Sequence, residues 1–179
     1  MPTNMFLERT FPAPLSVDDV HERVRSSDWC FDLHMVDWRA SVLSAGGRTM
    51  VCWFSAPDAE STRTALRRSG ADTQLLWAGT VHESSETVIP NVLVERTFDQ
   101  PVSFEAIEMQ GPAAGWCLQT HHVKYSRSFF AADRKRMLCL YNAPDAESVR
   151  LVQRESALPF NAVWAFDWIG RDTSRLRRR

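Results

Sequence analysis

Long apolar segments and a strong net charge are both missing from this 179-residue sequence. No apolar run approaches the ~20 residues that a membrane-spanning helix needs. The first strand-like segment begins at Asn4, which leaves no room for a signal peptide. The formal net charge of -1 and the isoelectric point near 6.5 argue against electrostatic binding to nucleic acid or to an acidic membrane. We therefore expect a cytoplasmic protein whose partner is neither a nucleic acid nor a membrane.

Familiar catalytic signatures are missing as well. The sequence contains no P-loop and no GxGxxG, GxSxG or HExxH motif. It has five histidines, none of them in an HxH arrangement, and no CxxC pair. The cysteines, at Cys30, Cys52, Cys117 and Cys139, are each flanked by apolar or aromatic residues, which favours buried free thiols over disulfides or a zinc site. Whether the protein is an enzyme is left open, and no catalytic residue is assigned.

An internal repeat organises almost the whole chain. The segment Asn4–Phe11 returns as Asn91–Phe98, 87 residues later. The same offset relates Ala56–Ser61 to Ala143–Ser148, and no gap intervenes. The repeat predicts two copies of one structural unit.

The elements of each copy are predicted to follow the order strand, helix, strand, strand, helix, strand. Ser16 can cap the first helix of copy one. Asp58 can cap the second helix, which Gly70 would end, and Asp145 repeats this cap in copy two. Between the two helices, Trp29–Leu43 is rich in aromatic and β-branched residues and is predicted to form one long strand.

This order is typical of a ferredoxin-like unit, an antiparallel sheet with both helices on one face. The other face would expose more apolar surface than a monomer tolerates. We therefore predict an α+β fold in which two tandem ferredoxin-like βαββαβ units pack sheet to sheet as an intramolecular dimeric α+β barrel. The units are assigned to residues 1–83 and 91–170, with a linker at 84–90 and a basic flexible tail at 171–179. We expect a monomer or a homodimer of whole barrels.

Three motifs occur in both copies: Glu-Arg-Thr-Phe, an aromatic residue three positions before a serine, and Cys-x-aromatic-x-Ala-Pro-Asp. They lie at Glu8–Phe11 and Glu95–Phe98, at Trp38–Leu43 and Tyr125–Phe130, and at Cys52–Asp58 and Cys139–Asp145. Together they resemble the nickel-binding-protein-like family of small ferredoxin-like domains of unknown function, of which this chain would be a two-copy member. The resemblance implies a ferredoxin-like fold and a divalent transition metal such as nickel as the cofactor. A histidine expected midway along the second helix of such proteins is replaced by Thr64–Leu66 and Leu151–Gln153.

Histidine and glutamate side chains supply the candidate metal ligands. On the predicted long strand, alternation places His34 on one face, and the repeat gives His121 the equivalent position, with His122 on the opposite face. Glu8 and Glu95 lie on the first strand of each copy. Imidazole and carboxylate donors suit Ni(II), Cu(II) or Zn(II). The alternative is that these residues are hydrogen-bonded or ion-paired structural groups.

The second function class is an α+β-barrel enzyme or binder for a small apolar or aromatic molecule, monooxygenase- or isomerase-like. Polar groups are richer in the second copy, so we predict a single ligand pocket formed by Glu95, His121 and Tyr125, with Trp38 as part of its apolar wall. In either class the partner is a small molecule or a metal. RNA binding is disfavoured because the strand at Met50–Phe54 lacks the basic and glycine pattern that accompanies base stacking.

Overall fold

The computed structural model describes residues 1–110, 115–156 and 158–170, without the side chains of residues 110 and 115–117. The chain divides into two compact units, one formed by residues 1–79 with residues 167–170, the other by residues 80–166. The predicted burial of Cys117 and the predicted tail at 171–179 lie outside the described residues. None of the helices in the described ranges is long and apolar enough to cross a membrane.

The first unit contains its elements in the predicted order. They are β1 (Thr3–Thr10), α1 (Val17–Leu33), β2 (Asp37–Ser44), β3 (Thr49–Ala56), α2 (Ala59–Arg68) and β4 (Leu75–Glu83), of which residues 80–83 belong to the second unit. The strands pair antiparallel in the order β4-β1-β3-β2. A buried cluster that includes Leu7, Phe31 and Leu66 packs β1 against both helices.

The second unit repeats this order. Its elements are β5 (Val92–Thr97), α3 (Phe104–Gln110), α4 (Gly115–Thr120), β6 (Lys124–Ala131), β7 (Arg136–Asn142), α5 (Ala146–Glu155) and β8 (Ala162–Gly170), of which residues 167–170 belong to the first unit. The strands pair antiparallel in the order β8-β5-β7-β6. Two short helices, α3 and α4, stand where the first unit has one long helix. The predicted α+β class and the ferredoxin-like arrangement of both units are confirmed.

The helix starts follow from the predicted caps. Ser16 Oγ accepts a hydrogen bond from Asp19 N at 3.1 Å, and the Asp19 carboxylate accepts one from Ser16 N at 2.7 Å, which completes a capping box. Asp58 and Asp145 each accept the backbone N–H of the residue three positions later, at 2.7 Å. These bonds hold the pKa of both carboxyls below its usual value. Gly70, at φ +74°, follows the end of α2 as predicted.

The stretch Trp29–Leu43 is not one strand, so that prediction is wrong. α1 continues to Leu33, and β2 begins only at Asp37. Val20 and Phe31, both in the core, continue the helical spacing into this stretch, and their burial outweighs the strand preference of the aromatic residues. Trp29 consequently lies on the outer side of the helix and is 63% exposed.

Candidate functional site

The second unit contains a cavity of about 280 Å³ between its sheet and its helices. Strands β5, β6 and β7 supply its floor, and residues of α3 and α4 supply its walls. Most of the lining is apolar or aromatic, which is typical of a small-molecule site. The lining residues are Arg96, Phe104, Ile107, Glu108, Leu118, Tyr125, Ser128, Met137, Cys139, Tyr141 and Leu158.

A β-bulge shapes the floor of this cavity. The pairing of β6 with β7 shifts register between Tyr125 and Arg127. Tyr125 and Ser128, three residues apart, therefore both reach the lining, whereas strict alternation would turn them to opposite faces. On β7, Cys139 pairs with Ser128 and Tyr141 pairs with Tyr125. The bulge thus brings two hydroxyl groups of β6 next to a thiol and a phenol of β7.

Arg96 brings a positive charge into this lining. Its side chain is 1% exposed, Nη1 donates to the Pro159 carbonyl oxygen at 2.7 Å, and Nη2 donates to Gln153 Oε1. Among the described residues, neither Arg96 Nε nor Gln153 Nε2 has a hydrogen-bond partner. Burial acts to lower the pKa of Arg96, but the neighbouring Cys139 and Tyr141 raise it above its usual value. The guanidinium therefore keeps its charge.

Two tyrosines give the cavity neutral hydroxyl groups. The rings of Tyr125 and Tyr141 meet edge to face with their centroids 5.9 Å apart. Burial raises the pKa of Tyr125 to about 12 and also raises the pKa of Tyr141, although the Arg96 guanidinium acts to lower the latter. The Tyr125 hydroxyl oxygen lies 3.0 Å from the carbonyl oxygen of His82 and 3.0 Å from Ser128 Oγ. Since a carbonyl oxygen only accepts, Tyr125 donates to His82, and this bond fixes its ring.

An aromatic stack supports one wall of the cavity. The rings of His82 and Phe104 lie nearly parallel, with centroids 3.5 Å apart and an interplanar angle of 12°. Phe130 packs beside both rings. Glu108, one helical turn after Phe104 on α3, is an exposed member of the lining. Its carboxylate therefore lies where the cavity meets solvent.

The first unit contains a smaller version of this cavity, of about 90 Å³. Trp38 Nε1 donates to Ser41 Oγ at 3.0 Å, and the Ser41 hydroxyl donates to Cys52 Sγ at 3.1 Å. Arg9, Ser41, Met50 and Cys52 match Arg96, Ser128, Met137 and Cys139 of the second unit, while Trp38 and Phe54 stand where it has Tyr125 and Tyr141. The indole occupies more space than the phenol, and the phenyl ring lacks a hydroxyl. The two cavities therefore differ in both size and polarity.

The residues predicted to form one pocket occupy different surroundings. Tyr125 lines the cavity of the second unit, and Trp38 lines the cavity of the first. Glu95 lies on the sheet face opposite Arg96, where its Oε1 accepts a hydrogen bond from Trp164 Nε1 at 2.7 Å. His121 follows α4, and its Nε2 lies 3.8 Å from Glu155 Oε1. Within the second unit, the structure thus groups Tyr125 with Arg96 rather than with Glu95 and His121.

The predicted metal ligands do not share a strand face, and that placement of His34 and His121 is wrong. His34 is the C-cap of α1, and His121 and His122 follow α4, with His122 at φ +53°. Glu8 Oε1 accepts a hydrogen bond from Trp77 Nε1 at 2.7 Å. Across residues 1–110, 115–156 and 158–170, no group of three or more His, Cys, Asp or Glu side chains lies close enough to hold a metal ion. The described donors therefore do not fit the closed coordination shell of a metal site.

Sequence reasoning did not select Arg96, Cys139 or Tyr141 as cavity residues. Alternation along β5 showed that Glu95 and Arg96 face opposite sides, but it did not show which of them faces the helices. By alternation, Val92 and Val94 lie on the same strand face as Arg96, and both belong to the helix-facing core. Their apolar side chains therefore indicate that Arg96 faces the helices. The bulge after Tyr125 had no such signal, because neither glycine nor proline marks it.

Residues 93–165 match the model of the family described as "Nickel responsive protein SCO4226-like". The match covers most of the second unit, including both tyrosines of its cavity and Arg96. No curated protein matches the chain.

Solved structures resemble the chain over nearly its whole length. The structure described as "Putative Chlorite dismutase TA0507" is 11% identical with a TM-score of 0.50, over 93% of this chain and 94% of that one. A structure described as a "putative monooxygenase from Lactobacillus acidophilus NCFM" is 9% identical with a TM-score of 0.46, over 93% of each chain. An "anthrone oxidase-like protein" is 8% identical with a TM-score of 0.44, over 94% of this chain and 91% of that one. At such identities the first of these likenesses shows the α+β fold and nothing about activity.

Proposed function

We propose that this chain binds a small apolar or aromatic molecule in the cavity of its second unit. The observation that carries the proposal is the cavity itself, with a volume of about 280 Å³ and a lining rich in apolar and aromatic side chains. An apolar protein cavity of roughly 150 Å³ takes up benzene. This cavity therefore has room for a substituted single ring, with Ile107, Leu118 and Leu158 against it.

We also infer that the two units are diverged copies of one domain, of the kind that residues 93–165 match. The constant 87-residue offset and the repeated Arg, Ser, Met and Cys of the two cavities support this inference. The cavity of the first unit, at about 90 Å³, is too small for the same ligand. The proposed site is therefore one per chain.

A cavity-filling substitution tests the proposal. Leu118→Trp adds an indole to the cavity wall, so the affinity for benzyl alcohol, measured by calorimetry or ligand-observed NMR, should fall about tenfold or more. Leu151→Trp on α5 is the matched control, because it adds the same side chain at a position that is 39% exposed. That variant should bind as the wild type does. Failure of the wild-type protein to bind both benzyl alcohol and its carboxylate analogue benzoate, or unchanged affinity in a folded Leu118→Trp variant, would contradict the proposal.

Binding of a divalent transition metal such as nickel is the second candidate function. It is favoured by the match of residues 93–165 to a family described as nickel responsive. Within that span, His121 Nε2 and Glu155 Oε1 lie 3.8 Å apart. Two donors alone leave an ion weakly held.

Titration of the purified protein with Ni(II), Cu(II) and Zn(II) tests this second candidate. If His121 and Glu155 hold the ion, His121→Ala should weaken binding about tenfold or more. His34→Ala, at the equivalent position of the first copy, is the matched control and should leave binding unchanged. Metal binding that survives His121→Ala would place the ion elsewhere, and lack of binding to the wild type would exclude this function.

A further inference from the structure

We propose that the ligand of the second-unit cavity is an organic anion, a carboxylate on a single-ring or branched apolar body, and that the carboxylate binds Arg96. This inference rests on the proposed function, because it specifies the chemistry of the molecule that the same cavity holds. The apolar walls alone would suit a neutral ligand, whereas the Arg96 guanidinium favours a ligand with a negative charge.

The first argument is the unbalanced charge of Arg96. The guanidinium is 1% exposed; it donates to the Pro159 carbonyl and the Gln153 side chain and also interacts with Cys139 and Tyr141, and none of these four partners is a carboxylate. Arg96 takes part in none of the ion pairs between described residues. A buried charge without a counter-ion is strongly unfavourable, and buried cations in proteins are normally paired. A bound anion would supply the missing partner.

The second argument is the pair of unused donors beside this charge. Arg96 Nε and Gln153 Nε2 are both buried, and in the described part of the chain neither makes a hydrogen bond of good geometry, although both side chains interact with the Tyr141 hydroxyl group. Gln153 is bound to the same guanidinium through its Oε1, so the two donors belong to one cluster. A carboxylate has two oxygens and accepts hydrogen bonds without donating any. A carboxylate therefore matches the Arg96 guanidinium, which lines the cavity and offers N–H groups and a positive charge.

The third argument is that the rest of the cavity lining favours an anion with an apolar body. Phe104, Ile107, Leu118 and Leu158 offer apolar contact, and a small inorganic anion such as phosphate would leave these walls unfilled. Tyr125 and Tyr141 are neutral phenols, so they add no negative charge that would oppose an anion. Glu108, at the exposed edge, repels negative charge. The carboxylate is thus directed inward toward Arg96 and away from Glu108.

The first unit provides the internal comparison. Arg9 occupies the position equivalent to Arg96, is 8% exposed, and its Nε also lacks a partner among the described residues. Its guanidinium carbon lies 5.4 Å from the centroid of the Phe11 ring, so a cation–π contact partly balances the charge. The adjoining cavity, at about 90 Å³, is much smaller than the cavity of about 280 Å³ in the second unit. Arg9→Met is therefore a matched control for Arg96→Met.

The experiment compares benzoate with benzyl alcohol, a neutral molecule of similar shape, by calorimetry at pH 7. We expect the wild-type protein to bind benzoate about tenfold more tightly or better. In Arg96→Met this preference should disappear while benzyl alcohol still binds, and in Arg9→Met it should persist. Glu108→Gln, on the exposed edge, should strengthen benzoate binding about two- to fivefold relative to benzyl alcohol binding. Inorganic phosphate should not compete.

The outcomes separate this inference from the proposed function. If the wild type binds benzyl alcohol as tightly as benzoate, or Arg96→Met keeps the preference, the anion inference is overturned and the apolar site stands. If neither molecule binds, both are overturned. Should Arg96→Met fail to fold, the Glu108→Gln result decides, since a benzoate affinity that does not rise relative to that for benzyl alcohol would exclude an anion beside that carboxylate. Competition by phosphate would show a site that recognises charge alone and would overturn the assigned ligand class.

Discussion

At the scale of single residues, one step along a strand separates two environments. Glu95 accepts the indole hydrogen of Trp164 on one sheet face, and Arg96 is buried beneath the helices on the other. Neighbouring residues of a strand point to opposite faces of the sheet. Glu95 and Arg96 therefore do not pair with each other, although they are adjacent in sequence. Glu8 repeats the bond of Glu95 with the tryptophan on its own neighbouring strand, Trp77. The two faces of β5 therefore differ in chemistry, with Glu95 on one face and Arg96 on the other.

Glu95→Gln tests this separation. The substitution replaces a charged acceptor of the Trp164 indole by a neutral one, and hydrogen bonds to charged groups contribute about 1 kcal/mol more than neutral ones. The free energy of unfolding, measured by urea denaturation, should therefore fall by about 1 kcal/mol or less, given the partial exposure of the pair. Benzyl alcohol binding should remain unchanged because Glu95 faces away from the cavity. Loss of that binding in a folded Glu95→Gln variant would return Glu95 to the ligand site.

At the scale of secondary-structure elements, helix starts were predictable from sequence and helix ends were less so. Ser16, Asp58 and Asp145 cap helices as predicted, because a cap is a local contact of four residues. The end of α1 was missed because local strand preference competes there with burial against other elements. The bulge after Tyr125 depends on pairing with a strand distant in sequence. The fold was therefore predictable, whereas the composition of the cavity was not.

The helix caps predict how stability responds to acid. The backbone hydrogen bonds to Asp58 and Asp145 lower the folded-state pKa of each carboxyl below 3.8, the ordinary value. Such a group stabilises the fold above its unfolded pKa, and the contribution is lost as the pH falls through the folded pKa. Between about pH 4 and pH 2 the melting temperature of the wild type should fall more steeply than that of the Asp58→Asn, Asp145→Asn double variant, whose caps do not titrate. Parallel melting curves over this range would show that the caps contribute nothing through their charge.

At the scale of the whole chain, two units with the same element order carry unequal cavities. The second unit has Tyr125 and Tyr141 where the first has Trp38 and Phe54, and its cavity is about 280 Å³ against about 90 Å³. Arg9, Ser41, Met50 and Cys52 of the first cavity recur as Arg96, Ser128, Met137 and Cys139 of the second. The two cavities thus differ in size and polarity although the units share an antiparallel strand order.

Exchanging Trp38 and Phe54 with Tyr125 and Tyr141 between the units tests whether these residues set the size of the cavity. The Tyr125→Trp, Tyr141→Phe double variant gives the second unit the residues of the first, so its cavity should shrink and its affinity for benzyl alcohol should fall about tenfold or more. Its melting temperature should stay close to that of the wild type, because the first unit already packs a Trp and a Phe against the same serine, methionine and cysteine. The Trp38→Tyr, Phe54→Tyr variant is the matched control and should keep the wild-type affinity. Calorimetry should give one ligand per wild-type chain, whereas two equivalent sites per chain, or full affinity in the first variant, would mean that these residues do not distinguish the units.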